Sequence, residues 1–246
     1  MTSDGSTNPF RITLCLGIGS DGEKLMLDLN KASNNLLVVG KQSSFIERFI
    51  DSLIGSVMGS GSPEDVKVVI TNLRKSSLER YDGDPHMLAF IRKVVPSIEV
   101  MSFLTEEIAH RLELFSAMRA RSISHYNSIV SEKPEMERLQ HLVYIIDEIA
   151  PLMQYDRSRF ISRFKRVTSL SRFMGIHLIF ATSTVSSDVI TGTLVSNFPT
   201  KIALRLENKI QSKLALGCEG AEDLNDGELL ISQNWDSQII KGKWDV

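Results

Sequence analysis

Four short apolar runs stand out along the chain: LLVVG from position 36, VKVVITN from 66, HLVYIIDE from 141 and HLIFATS from 177. They are too continuous for half-exposed strands and too brief for helices, which predicts strands buried on both faces. Between them the apolar spacing changes to three and four. Leu104, Ile108, Leu112, Phe115 and Met118 predict an amphipathic helix over 104–118, with Thr105 as its cap and Glu106 and Glu107 in the first turn. Phe160, Phe164, Val167, Leu170 and Met174 predict a second over 160–174, and a third follows Gly40. Strands alternating with such helices predict an α/β fold, a mainly parallel sheet with helices on both faces. RITLCL and KLMLDL, separated by GIGSDGE, predict a hairpin ahead of this sheet. TKIALRL (200–206), a helix, GELLIS and QIIKGKW predict its antiparallel closure. Residues 1–9 are polar and predict a tail, so the expected division is 1–19, tail and first strand, and 20–246, a single domain. GSGS at 59–62 follows a helix and predicts a C-cap and loop.

The composition narrows the function classes. With 246 residues, 42% of them hydrophobic and 24% charged, the chain is long enough for one large core and is not that of a disordered protein. A net charge of −2 excludes a global basic excess, so any nucleic-acid surface must be a local patch. Cys15 and Cys218 are the only cysteines, which excludes a disulfide framework and a cysteine-rich zinc site. His86, His110, His125, His141 and His177 show no paired metal spacing, and no metal site is expected. No apolar run approaches the roughly 18 residues of a membrane span, and the polar start does not read as a signal peptide. The expectation is a soluble, cytoplasmic chain, with any membrane contact made through another chain or a missing segment.

Ligands of parallel α/β sheets gather at the carboxyl ends of the strands, here Gly40, Asn72, Asp147 and Thr182. In LLVVGKQSSFIERFID a strand runs into Gly40, a small polar turn and a helix, the frame of a phosphate-binding loop. A working loop reads G-x-x-x-x-G-K-[ST]. In LVYIIDEIAPLM, Asp147 and Glu148 follow five apolar residues. In phosphoryl-transfer motors the first such carboxylate holds Mg²⁺ and the second orients water. A strand end whose carboxylates face water or cap a helix has the same pattern.

With both strand ends in place, GIHLIFATSTVSSDVITGTLVSNFPTKIAL (175–204) resembles the motor domain of the FtsK/SpoIIIE family of DNA translocases. SPEDVKVVI (62–70), YDGDPHML (81–88), RLELFSAMRARSISHYN (111–127), LVYIIDEIAPLM (142–153), NKIQSKLAL (208–216) and GAEDLNDGELLIS (220–232) follow the family's order. The resemblance covers about residues 20–233. It implies a RecA-like P-loop fold, a hexameric ring, DNA threaded through it in chromosome segregation, and ATP with Mg²⁺ hydrolysed between subunits. By the same resemblance, Gly40, Lys41, Ser43 and Ser44 are the nucleotide-binding positions, and Asp147 and Glu148 the catalytic ones.

The loop departs from the family's GTTGSGKS. Its second glycine is Phe45, the phosphate-binding lysine is Ile46, and the metal-binding hydroxyl is Glu47. A carboxylate about 4 Å from a phosphate charge costs roughly 4 kcal/mol at an effective dielectric near 20, about three decades in affinity. Lys41 is a substitute cation at the wrong end of the loop. The family's ATQRPS is Ala181–Ser186, with Ser183 for the glutamine, and its DSR is Gln211, Ser212 and Lys213. Lysine does not reproduce arginine's planar fork. The expectation is a non-hydrolysing structural or regulatory member of a translocase-type ring, whose partners are DNA, an active FtsK-like subunit, or both. Two alternatives stand beside it: an active ATP-dependent translocase, and a degenerate module of a secretion system that binds a protein substrate. Arg157, Arg159, Arg163, Lys165 and Arg166, with Arg172 beyond them, form a basic run that suits DNA phosphates or a salt-bridged surface. Arg111, Arg119 and Arg121 are expected near a subunit boundary.

Overall fold

The computed structural model describes residues 10–30, 35–233 and 239–244; the expected tail over 1–9 and the side chain of Arg172 lie outside them. The described strands are β1 (Thr13–Gly19), β2 (Lys24–Asp28), β3 (Asn35–Val39), β4 (Val66–Thr71), β5 (Met87–Ile91), β6 (His141–Ile146), β7 (Ile176–Thr182), β8 (Thr200–Ala203), β9 (Glu228–Gln233) and β10 (Ile239–Lys243). All join one sheet in the order β2-β1-β10-β9-β8-β3-β7-β6-β4-β5. The six strands from β8 to β5 are parallel. The four on the other side run antiparallel, as the closure and the hairpin predict.

The continuous apolar runs work as two-sided strands. Successive side chains of a strand point to opposite faces. Leu36 and Val38 therefore enter one core, with the helix α1 (Ser43–Met58) and the β1–β2 hairpin. Leu37 and Val39 enter the other, with α2 (Val94–Met118), α3 (Ile123–Val130), α4 (Ala150–Met174), α5 (Gly192–Asn197) and α6 (Lys209–Leu216). Strands β6 and β7 divide their residues in the same way. At the hairpin's bulge Gly17 has φ +137°, and an added Cβ would lie 2.2 Å from the Lys243 carbonyl oxygen, so only glycine fits.

Two predicted helix starts move. Helix α2 begins ten residues before the expected start, because Ile98 and Met101 extend the apolar stripe and Pro96 is tolerated in a first turn. Thr105 is therefore not a cap: its hydroxyl donates to the Met101 carbonyl in mid-helix. Helix α4 begins at Ala150 and contains a break at Asp156 (φ −155°, ψ 81°), whose Oδ1 accepts the Arg159 N–H. That internal cap restarts the helix, which is why the periodicity is clean only from 160 onward. Strand β5, a half-exposed edge, is not among the expected strands. GSGS begins at the C-cap of α1, as expected. Among the described residues no helix is long and apolar enough to cross a membrane.

Candidate functional site

Strands β3, β7, β6 and β4 lie side by side, so their carboxyl ends bring Gly40, Thr182, Asp147 and Asn72 to one edge of the sheet. Gly40 donates its N–H to the Thr182 carbonyl at 3.3 Å, and Lys41 to that of Arg205 at 2.8 Å. A Cβ on Gly40 would meet Leu204 at 3.1 Å and Ile46 at 3.2 Å, so the strand end can turn here because position 40 carries none.

Helix α1 starts at Ser43, only three residues after Gly40, with Gln42 in extended conformation as its N-cap. Ser43 and Ser44 are thus the first residues of the helix. Phe45 turns its ring edge-on to Trp244, and Ile46 is buried in the core. Glu47 points to the neighbouring loop, where its Oε1 accepts both the N–H and the hydroxyl of Ser77. Lys41 faces outward, 3.5 Å from the Glu207 carboxylate.

Both acidic residues are buried and fully engaged. Asp147 accepts the Leu73 N–H at 2.8 Å on one oxygen and the Arg74 N–H at 2.9 Å on the other. Burial pushes its carboxyl above the usual carboxylate range, against the pull of those two N–H groups and of the Arg74 charge. Glu148 accepts from the Arg74 guanidinium at 2.6 Å, from the N–H and hydroxyl of Ser183 at 3.0 and 2.9 Å, from the Ala150 N–H at 3.1 Å, and from the Thr182 hydroxyl. The serine at the glutamine position therefore has a local task, holding Glu148. The same guanidinium donates to the Ser43 carbonyl at 3.3 Å and so spans the strand ends and the start of α1. Arg74 escaped the sequence reading; it lies 74 residues from its carboxylate partner, and only the pairing of β4 with β6 brings them together.

The remaining candidates are dispersed. On α4, Arg159 and Arg163 both pair with Glu99, at 2.5 and 3.0 Å, and Arg157 lies 3.7 Å from Asp188. Lys165 and Arg166 are exposed, and among the described residues no carboxylate lies within ion-pair distance of either. Arg111 does not face a boundary: it is buried, donating to the Met174 and Gln140 carbonyls and to Glu107. On α6, Lys213 pairs with Glu219 at 2.9 Å, and the buried Ser212 hydroxyl accepts the Ala221 N–H. His141 and His177, which the sequence leaves unconnected, stack inside the protein with Nδ1 and Nε2 3.1 Å apart.

The sequence model described as the FtsK/SpoIIIE family matches residues 2–187. The chain is 34% identical over 224 residues to the DNA translocase FtsK of Borreliella burgdorferi, covering 90% of this chain and 28% of that protein. It is 30% identical over 237 residues to the DNA translocase SftA of Bacillus subtilis, covering 96% and 25%. It thus spans about a quarter of the length of these curated relatives. Among solved structures, the pCW3 conjugation coupling protein TcpA with ATPγS superposes with a TM-score of 0.80 at 22% identity, over 94% of this chain and 65% of that one. The cytoplasmic domain of the type VII secretion ATPase EccC from Thermomonospora curvata gives 0.82 at 19% identity, over 96% and 29%. These likenesses show the fold, an α/β sheet of the RecA-like P-loop kind.

Proposed function

Because this chain belongs to the FtsK/SpoIIIE family, we propose that it is a P-loop domain that does not hydrolyse ATP and serves as a structural or regulatory member of a DNA-translocase-type ring. The observation that carries this reading is Ile46. Counted from Gly40, it falls where the motif sets its phosphate-binding lysine, and its side chain is buried in the core. No rotation about its side-chain bonds supplies a cation. The residues present do not fit MgATP in other respects. Residues 43–45 are helical where the family's loop wraps phosphates, and Glu47, one turn into the helix, directs its carboxylate to Ser77. Lys41, on which an active-motor reading depends, faces Glu207 instead.

Isothermal titration of the wild-type protein with MgATP is expected to give no saturable heat at millimolar nucleotide. The Ile46→Lys, Glu47→Ser variant is the comparison, because it restores the motif's lysine and hydroxyl at their spacing from Gly40. Micromolar binding by the wild type would overturn the reading.

Lys165 and Arg166 support the DNA side of the proposal, since cations with no ion-pair partner among the described residues are the ones that release counterions on meeting phosphates. In fluorescence anisotropy on duplex DNA, Lys165→Ala, Arg166→Ala is expected to weaken binding alike across sequences. It should also lower the slope of log affinity against log salt by about 2. An unchanged slope would move the DNA contact off α4.

A further inference from the structure

The charge balance at the strand ends is supplied by the chain itself. Glu148 is buried, and a buried carboxylate needs a counter-charge as well as hydrogen bonds. Four of its five donors are neutral: the N–H groups of Ala150 and Ser183 and the hydroxyls of Thr182 and Ser183. The fifth, Arg74, is the cation.

The loop that carries Arg74 is fastened at three points. Asn72 Oδ1 accepts the N–H and hydroxyl of Ser76, Asp147 accepts the N–H groups of Leu73 and Arg74, and Glu47 accepts the N–H and hydroxyl of Ser77. Within this turn Lys75 takes a left-handed conformation with φ 54°. The strain is tolerated because the flanking residues are held. The guanidinium does not sit there for the helix's sake. A cation beside the start of α1 opposes the helix dipole, so the carboxylate must hold it. Its Nε is buried with no hydrogen-bond partner among the described residues, so this placement leaves one polar group of the arginine unsatisfied there.

We infer that Arg74 is a built-in counter-cation, a positioning residue that balances Glu148 and excludes soluble cations from the strand-end carboxylates, with Glu47 as a clamp on its loop. This deepens the reading of a non-hydrolysing domain. A departure from the phosphate-binding motif then connects to the strand-end pair. The carboxylate that replaces the metal-binding hydroxyl holds Ser77, and through that loop the arginine that faces the second acidic residue.

The test uses no nucleotide, so that it fails separately from the ATP titration. Arg74→Met, Glu148→Gln and the double variant are compared with wild type by urea unfolding, and Mn²⁺ uptake is read from the loss of the free-ion EPR signal. Each single variant is expected to lower the unfolding midpoint, and the double to recover most of the loss, since it removes both charges. Arg74→Met is expected to take up at least tenfold more Mn²⁺ than wild type at submillimolar metal. Arg74→Lys should stay at the wild-type level because it keeps the charge. Additive losses in the double variant would make Arg74 a packing residue and overturn the inference. So would equal Mn²⁺ uptake by Arg74→Met and wild type. Should Arg74→Met not fold, Glu148→Gln decides: no loss of midpoint in that near-isosteric variant overturns the inference.

Discussion

Replacing Arg111 with methionine is expected to remove about 3–5 kcal/mol of folding stability, the cost of breaking a buried charged network from one side. The side chain is 2% exposed and joins three elements. Its guanidinium donates to the Met174 carbonyl at the end of α4, to the Gln140 carbonyl just before β6 at 2.8 Å, and to Glu107 one turn earlier on α2 at 2.7 Å. The Met174 carbonyl belongs to the last turn of a helix, where acceptors lack partners within the helix and a cation suits the dipole. Methionine fills much of the volume and satisfies neither carbonyl, leaving Glu107 uncompensated. Arg111→Lys is expected to recover little, because one ammonium cannot reach three acceptors in the geometry of a planar fork. Urea unfolding at pH 7.5 checks both. A loss below about 1 kcal/mol for methionine would mean that water replaces the arginine, and that the α2–α4–β6 junction is held by its apolar contacts alone.

Arg111 also marks where sequence reading ended. The sheet was legible because two-sided strands leave a local signature: short, nearly continuous apolar runs need no knowledge of what they pack against. The helix faces were legible in part: Leu104, Ile108 and Phe115 on α2 and Phe160, Phe164, Val167 and Met174 on α4 are buried, whereas Leu112 and Leu170, set on the same faces by their spacing, are exposed. Asp147 and Glu148 were visible as acids at a strand end, and the altered phosphate-binding positions as departures at fixed spacing. The partners were not visible. An arginine in a family stretch on an amphipathic helix reads as surface, and nothing local says that Gln140 and Met174 converge on it. Arg74 reads as one more charge in a polar loop until the pairing of β4 with β6 sets it against Glu148. Run-length patterns report burial, whereas pairing of charges depends on strand order, which only the assembled sheet supplies. The basic run on α4 shows the converse. Its composition was read correctly, yet Glu99, 60 residues away from Arg159, neutralises part of it.

Acidification is expected to destabilise the protein through another contact that sequence could not show. His141 and His177 stack with ring centroids 5.4 Å apart, each buried, beside the cationic Arg111. Burial and the Arg111 charge push His141 down to about 4, opposed in part by Asp65, and hold His177 well below its ordinary value. Both are neutral bases in the folded protein and accept protons near 6.5 once unfolded. A depressed folded pKa makes the unfolded state the better proton binder below pH 6.5. The stability is therefore complete above that value and is lost as pH falls towards 4. For His141 alone the loss between pH 7.5 and pH 5 is about 2 kcal/mol, a fall of roughly 1 M in urea midpoint. Asp147 acts in the opposite sense. Its raised folded pKa makes the folded state the better proton binder, so protonation on acidification relieves a cost. The histidine contribution is therefore isolated by variants: His177→Leu and His141→Asn should each flatten the decline of midpoint between pH 7.5 and pH 5. A decline as steep in both as in the wild type would assign acid sensitivity to the carboxylates. A flattened one would establish that this core folds around two imidazoles that burial, with the Arg111 charge beside them, keeps neutral.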